Sequence, residues 1–212
     1  MRFFNSTHKW SNYWKHRKNI DWKTAYLDTW KHPHRFIISG ILKTLPWLSL
    51  FEIGCGSGAN LMNIVKIIGG KQVGGIDVNE KAIELANKTF DGGIFKVGYG
   101  DDIMLSDKST DVVLSDMCLI YVDPSKIDKY LNEIKRIGRK YVLLCEFHSE
   151  SFWKRIKLRF TSGYYAYNYK KLLEKHDFYD ILSYRLRLED WPGGEPQKSY
   201  GWIFLASIPK RS

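Results

Sequence analysis

Apolar positions along this chain follow two alternating periods. Short apolar runs near residues 49–53, 72–77, 94–98, 111–116 and 140–146 are compact enough for strands buried on both faces. Between them the apolar residues recur at helical spacing, as in Leu61, Ile64, Val65 and Ile68, and again in Ile127, Tyr130, Leu131 and Ile134. Gly69-Gly70 is placed to end the first of these helices and Pro124 to open the second. Two further helices, near 21–31 and 34–45, precede the first strand. Strands alternating with helices predict a parallel sheet covered on both faces.

The C-terminal portion leaves this alternation. Tyr179 to Leu188 and Ser199 to Ile208 read as two strands joined by the turn-rich Asp190-Trp191-Pro192-Gly193-Gly194-Glu195-Pro196, which is a hairpin signal. No Pro/Ser-rich linker, internal repeat or low-complexity tract divides the chain. Its 212 residues suit a single α/β domain.

The densest chemical signal is Phe51-Glu52-Ile53-Gly54-Cys55-Gly56-Ser57-Gly58-Ala59-Asn60. Its glycines allow a sharp turn and bring backbone N–H groups close to a ligand at a helix N-terminus. A second strand follows and ends at Asp77, about 20 residues on, where an acidic side chain in βαβ nucleotide sites accepts from a ribose diol. Gly54, Gly56 and Ala59 also satisfy the dinucleotide pattern G-x-G-x-x-G/A, so these positions alone fit two kinds of cofactor. Glu52 separates them. A carboxylate two residues before the first glycine repels a pyrophosphate and welcomes a cationic ligand.

With Glu52 included, residues 52–58 resemble the first motif, E/D-x-G-x-G-x-G, of the class I S-adenosylmethionine-dependent methyltransferases. Gly75-Ile76-Asp77-Val78-Asn79 resembles the family's second motif, Gly100-Asp101-Asp102 its third, and Asp111 to Asp116 its fourth strand. The resemblance spans about residues 34 to 148 and implies a three-layer Rossmann-like sandwich, with a mostly parallel seven-stranded sheet and an antiparallel C-terminal hairpin strand. It implies S-adenosylmethionine as cofactor and S-adenosylhomocysteine as product. Glu52, Gly54, Cys55, Gly56, Gly58 and Asn60 would form the cofactor loop. Asp77 would bind the ribose, Val78 would pack on adenine, and Asp101 with Asp102 would lie at the adenine amino group. Asp116 and Arg35 would hold the methionine end, the guanidinium against its carboxylate.

In domain terms, residues 1–48 are expected to form an N-terminal helical lid and 49–148 the cofactor-binding core. Residues 149–178 would be a substrate-lid insertion and 179–212 the terminal hairpin.

Methyl transfer needs alignment first, and a base only when the acceptor holds its proton tightly. The carboxyl edge of the sheet is where ligands of such sheets bind. His148, Tyr121 and Asp116 follow strands there and are the candidate catalytic residues, with His148 as the base. Tyr13, Trp14, Tyr164 and Tyr165 are the candidate acceptor contacts. Trp22, Tyr26 and Trp30 recur every four residues and read instead as a stripe packing the lid onto the sheet.

Charge sharpens the acceptor. Residues 1–50, 51–150 and 151–212 carry +7, −3 and +6, so an acidic middle that suits a cationic cofactor lies between basic flanks that suit an anionic partner. A small anionic, sugar-like or nucleotide-like acceptor, methylated on oxygen or nitrogen, is the leading expectation. The basic flanks also leave a nucleic acid or protein acceptor open. Ser115-Asp116-Met117-Cys118 lacks the [D/N]-P-P-[Y/F] of exocyclic amine methylases, and its cysteine lacks the context of pyrimidine C5 methylation. A cofactor-binding module without turnover and a dinucleotide oxidoreductase are the readings from other classes.

Cys55, Cys118 and Cys145 lack metal or disulfide spacing and read as buried small hydrophobes, and no metal is expected. Met1-Arg2-Phe3-Phe4 leads into polar residues, and no apolar stretch reaches the ~18 residues a membrane span needs. Both point to a cytoplasmic protein.

Overall fold

The structure is a computed structural model that describes residues 9–192 and 194–210. Strands β1 (Ser49–Ile53), β2 (Gln72–Asp77), β3 (Ile94–Val97), β4 (Thr110–Asp116), β5 (Gly138–Phe147), β6 (Tyr179–Arg185) and β7 (Gly201–Ser207) form one sheet in the order β3-β2-β1-β4-β5-β7-β6. The first five are parallel, and β7 runs antiparallel between β5 and β6. The strand order reverses between the parallel neighbours β1 and β4, so the carboxyl ends of these two strands flank a crevice at the switch point.

Alternation along each central strand sorts side chains onto the two faces. Phe51 and Ile53 of β1, Val113 of β4 and Val142 and Leu144 of β5 pack with α6 (Ile127–Ile137) and α8 (Tyr169–Lys175). Leu50, Val112, Leu114, Leu143 and Cys145 pack on the other face with α3 (Pro33–Lys43), α4 (Ala59–Ile67) and α5 (Glu80–Thr89). Two apolar layers against one sheet give the three-layer sandwich.

Several expected boundaries shift for local reasons. The helix foreseen over 21–31 divides into α2 (Trp22–Ala25) and a 3-10 turn (Leu27–Lys31), because Tyr26 between them leaves helical geometry at φ −131° and ψ −63°. Asp21 caps α2 by accepting from the Lys23 and Thr24 amides. Pro33 occupies the first turn of α3, where a missing N–H costs nothing. Pro124 stands in a turn before α6 rather than inside it, since the Asp123 side chain accepts from the Ser125 amide and closes that turn first. On α4, Leu61 and Ile64 are buried but Val65 faces solvent. Strand β3 ends a residue early, and β5 is longer than its apolar run at both ends.

The connection from β6 to β7 is longer than a tight hairpin and contains α9 (Gln197–Tyr200). Asp190 organises its start by accepting from the Arg187 amide and the Tyr184 hydroxyl. Before the sheet lies α1 (Lys9–Lys15), and between β5 and β6 lies α7 (Phe152–Ser162), capped by Ser151 at one end and Gly163, with φ 78°, at the other. Among the described residues, no helix is long and apolar enough to cross a membrane.

Gly58 caps α4 from the left-handed region, with φ 90°, and a Cβ there would come within 2.5 Å of the Phe90 ring. Gly58→Ala is expected to lose about 2–4 kcal/mol of stability by combining left-handed strain with overpacking. Urea unfolding measures it; a loss under about 0.5 kcal/mol would mean that the turn relaxes freely.

Candidate active site

The crevice between β1 and β4 deepens into a cavity of about 340 Å³, within the range of small-molecule sites. Glu52, Gly54, Cys55, Gly56 and Asn60 form one wall, Asp77 and Val78 continue it from β2, and Asp116 closes the floor from β4. Arg35 enters from α3, and Trp14 and Tyr164 come from the segments on either side of the core.

At the floor, polar side chains form one connected chain. The Asn60 amide donates to Glu52 Oε1 at 2.6 Å and to Asp116 Oδ2 at 3.0 Å, and His34 Nε2 meets the same Asp116 oxygen at 2.8 Å. His34 Nδ1 in turn shares a hydrogen bond with His32 Nδ1, and its ring stacks on Trp191 with centroids 4.0 Å apart. Burial opposes ionisation of Asp116, but His34, Arg35 and Asn60 outweigh it and hold the carboxyl well below its usual range. Glu52 shows the opposite balance. Its complete burial, with the Asp116 charge beside it, pushes its carboxyl well above the ordinary value despite the Asn60 hydrogen bond.

This chain leaves specific atoms unpaired. Glu52 Oε2, Asn60 Oδ1 and Asp116 Oδ1 are buried acceptors without a partner, while Arg35 Nε and the indole nitrogens of Trp14 and Trp22 are buried donors without one. Buried polar atoms are ordinarily satisfied, so such a cluster on residues lining one cavity marks a polar ligand. Three acceptors fit an ammonium group, and the guanidinium fits a carboxylate.

Asp77 is held by backbone: Oδ2 accepts from the Gly56 amide at 2.9 Å and Oδ1 from the Asn79 amide at 2.8 Å. Its carboxylate therefore ties the glycine turn to β2. Burial raises its pKa against those amides. Gly54, at φ 73°, has no room for a Cβ, which would lie 2.4 Å from Cys118 Sγ. The Cys55 and Cys118 thiols both line the cavity and are pushed up by burial, so they stay protonated. Cys118 is only partly buried, unlike the packing role foreseen for it.

Aromatic rings cover the opening. Trp22 stacks on Tyr26 at 4.8 Å, Trp14 packs edge-on to Tyr26 and Tyr121, and Tyr121 packs edge-on to Tyr164. Asn79 pins α1 and the residues after it by donating to the carbonyls of Trp14 and Arg17, while Trp10 Nε1 donates to Gly163 O across the opening. Trp22 and Tyr26 therefore line the cavity, a role beyond the packing stripe assigned to them.

The other sequence candidates divide. Tyr121 lies on the cavity wall, where burial lifts its hydroxyl far above the phenol range, leaving it a neutral donor. Tyr13 is exposed and lies outside the cavity lining, and Tyr165 turns away to donate to Asp123. Gly58 acts one residue away as the helix cap. Asp102 is exposed, and Asp101 stands behind the wall with Lys126 Nζ 3.6 Å away; after β3 ends, residues Gly98, Tyr99 and Gly100 take the wall instead.

His148 does not line the cavity. It lies on the sheet side of the insertion, packed against Phe204, with Nδ1 accepting the Tyr169 amide at 3.1 Å. Burial lowers its pKa to about 4, so it is neutral and structural. The sequence signal was a histidine at a strand end, a position that a capping role fills equally well. Missed residues include His34, buried behind Asp116, and Tyr99, Lys126 and Trp191 on the wall. Among the described residues, no group of three or more His, Cys, Asp or Glu side chains is arranged to hold a metal ion.

Glu146, near the end of β5, is completely buried behind the site. It accepts from Ser115 Oγ at 2.7 Å and from the amides of Cys118, Leu119 and Ile120, and so shapes the loop after β4.

Residues 50–140 match the family model described as a methyltransferase domain. No curated protein matches the chain. Among solved structures, magnesium protoporphyrin IX methyltransferase from Synechocystis, with bound S-adenosylhomocysteine, is similar over 97% of this chain and 100% of its own, with a TM-score of 0.66 and 14% identity. Geranyl diphosphate C-methyltransferase from Streptomyces coelicolor is similar over 82% and 79%, with a TM-score of 0.63 and 12% identity. A Haloferax volcanii methyltransferase in complex with the Trm112 methyltransferase activator is similar over 85% and 91%, with a TM-score of 0.63 and 17% identity. These likenesses show a shared fold.

Burial pushes the Glu146 pKa from 4.5 up to about 8 against its hydrogen bonds. The folded protein then retains a proton that the unfolded chain releases, so this stabilising contribution is full below about pH 4.5 and is lost as pH rises through about 8. Denaturant titrations of wild type and Glu146→Gln across that window are expected to show a stability decline in wild type that is shallower in the variant. Parallel curves would exclude the proton uptake.

Proposed function

We propose that this chain is a class I S-adenosylmethionine-dependent methyltransferase, a reading supported by the methyltransferase-domain match over residues 50–140, and that it methylates an oxygen or nitrogen atom of a small, anionic acceptor that needs no enzymic base. The observation carrying this reading is the unpaired set at the cavity floor: three buried acceptors on Glu52, Asn60 and Asp116 beside the Arg35 guanidinium. An amino acid zwitterion satisfies both halves at once.

The bound cofactor supplies an electrophilic methyl group on a sulfonium. Asp116, Asn60 and Glu52 would hold its ammonium and Arg35 its carboxylate, in a bidentate contact that a lysine reproduces poorly. Asp77 would accept from the ribose hydroxyls, and Val78 and Tyr99 would bound the adenine. Trp14, Tyr121 and Tyr164 would hold the acceptor and exclude water, with the Tyr121 hydroxyl as a donor.

The groups beside the acceptor rings offer little basicity, which narrows the acceptor. Tyr121, Tyr130, Cys55 and Cys118 are all raised and protonated. Asp123 is held below its usual value against its burial, and its oxygens are engaged by Ser125 and Tyr165. An acceptor already ionised or carrying a free lone pair, such as a carboxylate, an acidic phenol or enol, or an amine, is suited to this environment. A sugar hydroxyl is less suited. The basic flanks and Lys126 on the wall support negative charge on the acceptor. A small acceptor also agrees with the relatives named for magnesium protoporphyrin IX and geranyl diphosphate.

Transfer of labelled methyl groups to a panel of carboxylates, phenols, amines and sugars tests the acceptor class. Labelling confined to sugar hydroxyls would overturn it. His148→Gln is expected to retain transfer within about threefold, whereas a general base contributes roughly 10²- to 10⁴-fold; a 100-fold loss with intact cofactor binding would return His148 to the chemistry.

Glu52 gives a second test. Its carboxyl is raised well above 4.5 in the empty cavity, and an ammonium beside it favours the ionised form. Cofactor binding is then expected to release a proton, so affinity increases with pH until Glu52 is ionised without the cofactor. Calorimetry in buffers of different ionisation enthalpy measures the release, which Glu52→Gln should abolish. Binding of NAD in place of S-adenosylmethionine would defeat the cofactor placement itself.

A further inference from the structure

Helix α7 carries its apolar side chains on the wrong face for packing. Phe152, Trp153 and Phe160 are 57%, 76% and 83% exposed, while Leu158 is 2% exposed and faces the protein. At about 100° per residue, Phe152, Ile156, Phe160 and Trp153 fall in one stripe roughly 100° wide, opposite Leu158. This is an amphipathic helix with its aromatic ridge turned to solvent.

Its charge is one-sided. Residues 151–162 contain Lys154, Arg155, Lys157 and Arg159 and no acidic side chain. Arg155 is turned back to donate to the carbonyls of Ser149 and Glu150, and Arg159 to that of Gly163 while lying over the Tyr165 ring. Lys154 and Lys157 are both exposed, Lys157 flanking the aromatic stripe and Lys154 in the first turn farther round toward Leu158, and neither forms an ion pair among the described residues.

We propose that α7 is a docking helix that seats this protein on an anionic lipid bilayer, with Phe152, Trp153, Ile156 and Phe160 inserted at the headgroup level and Lys154 and Lys157 over the lipid phosphates. Aromatic rings suit the boundary between acyl chains and headgroups, and lysines reach outward from it while their stems cover apolar surface. The ridge is the convex side of a single helix, which a deformable bilayer accommodates. A second copy fits less well, because a two-fold contact sets the cations of one α7 against those of the other. The helix ends at Gly163, one residue before Tyr164 on the cavity wall, so docking sets the cavity mouth near the lipid surface.

Co-sedimentation with vesicles tests the proposal, using phosphatidylcholine alone and phosphatidylcholine containing about one-third phosphatidylglycerol. Wild type is expected to partition onto the anionic vesicles, less at high salt. Trp153→Glu and Phe160→Glu should each reduce partitioning by about tenfold or more. The double variant Lys154→Gln/Lys157→Gln should lower it by a similar factor and flatten its salt dependence. S-adenosylmethionine binding by calorimetry should be unchanged in all three, which separates lost docking from lost folding. The proposal is overturned if wild type ignores anionic vesicles or if Trp153→Glu binds them as well as wild type. It is equally overturned if the ridge instead mediates a dimer or an RNA complex that Trp153→Glu dissolves.

Discussion

Four parallel strands of this protein end in carboxylates, and the site depends on how each is kept from water. Glu52, Asp77, Asp116 and Glu146 stand at or beside the carboxyl ends of β1, β2, β4 and β5. A buried carboxylate is costly unless paired or well supplied with donors. Each strand end draws on different donors: Asp77 on the Gly56 and Asn79 amides, Asp116 on His34 and Asn60, and Glu146 on three amides and a hydroxyl. Burial still raises the Asp77 and Glu146 carboxyls against these donors, and Glu52 has the fewest of all, one amide against complete burial and a neighbouring charge. The missing compensation is what a cationic ligand supplies, so the least satisfied strand end is also the most informative one.

The lid follows from the same constraint. A hydrogen-bonded carboxylate cluster strengthens as water is removed, and the rings of Trp14, Trp22, Tyr26, Tyr121 and Tyr164 remove it from one side of the cavity. Polar anchors hold these rings in place. Asn79 serves twice, capping α5 with its oxygen and holding the backbone of the α1 segment with its nitrogen. The carboxyl edge of the sheet and its cover are thereby joined through one side chain.

Features confined to one stretch of chain were legible in the sequence. The strands, the glycine turn and the acidic ends of β1 and β2 each depend on residues a few positions apart, and their periods show directly. What depended on distant partners was not legible. His34 reaches Asp116 across 82 positions, so its sequence surroundings gave no sign of the pairing. His148 looked catalytic because it follows a strand, yet the Tyr169 amide and the rings of β7 claim it. Trp22 and Tyr26 kept helical spacing, although the helix ends at Tyr26, and both rings line the cavity.

The loop after β4 and the glycine turn after β1 are in direct contact, and this ties the two halves of the site together. Glu146 gathers the amides of residues 118–120, and Met117 just before them sits in the left-handed region at φ 50°, a conformation that a non-glycine residue holds only when its surroundings require it. That bend places Cys118 where a side chain on Gly54 would otherwise be. Gly54 is therefore needed as much for the loop after β4 as for its own turn. Tyr121 rides on that same loop, so its position over the cavity is set from β5 through Glu146 and checked from β1 through Gly54. Tyr121, the ring proposed to touch an acceptor, is thereby registered against the turn proposed to touch the cofactor.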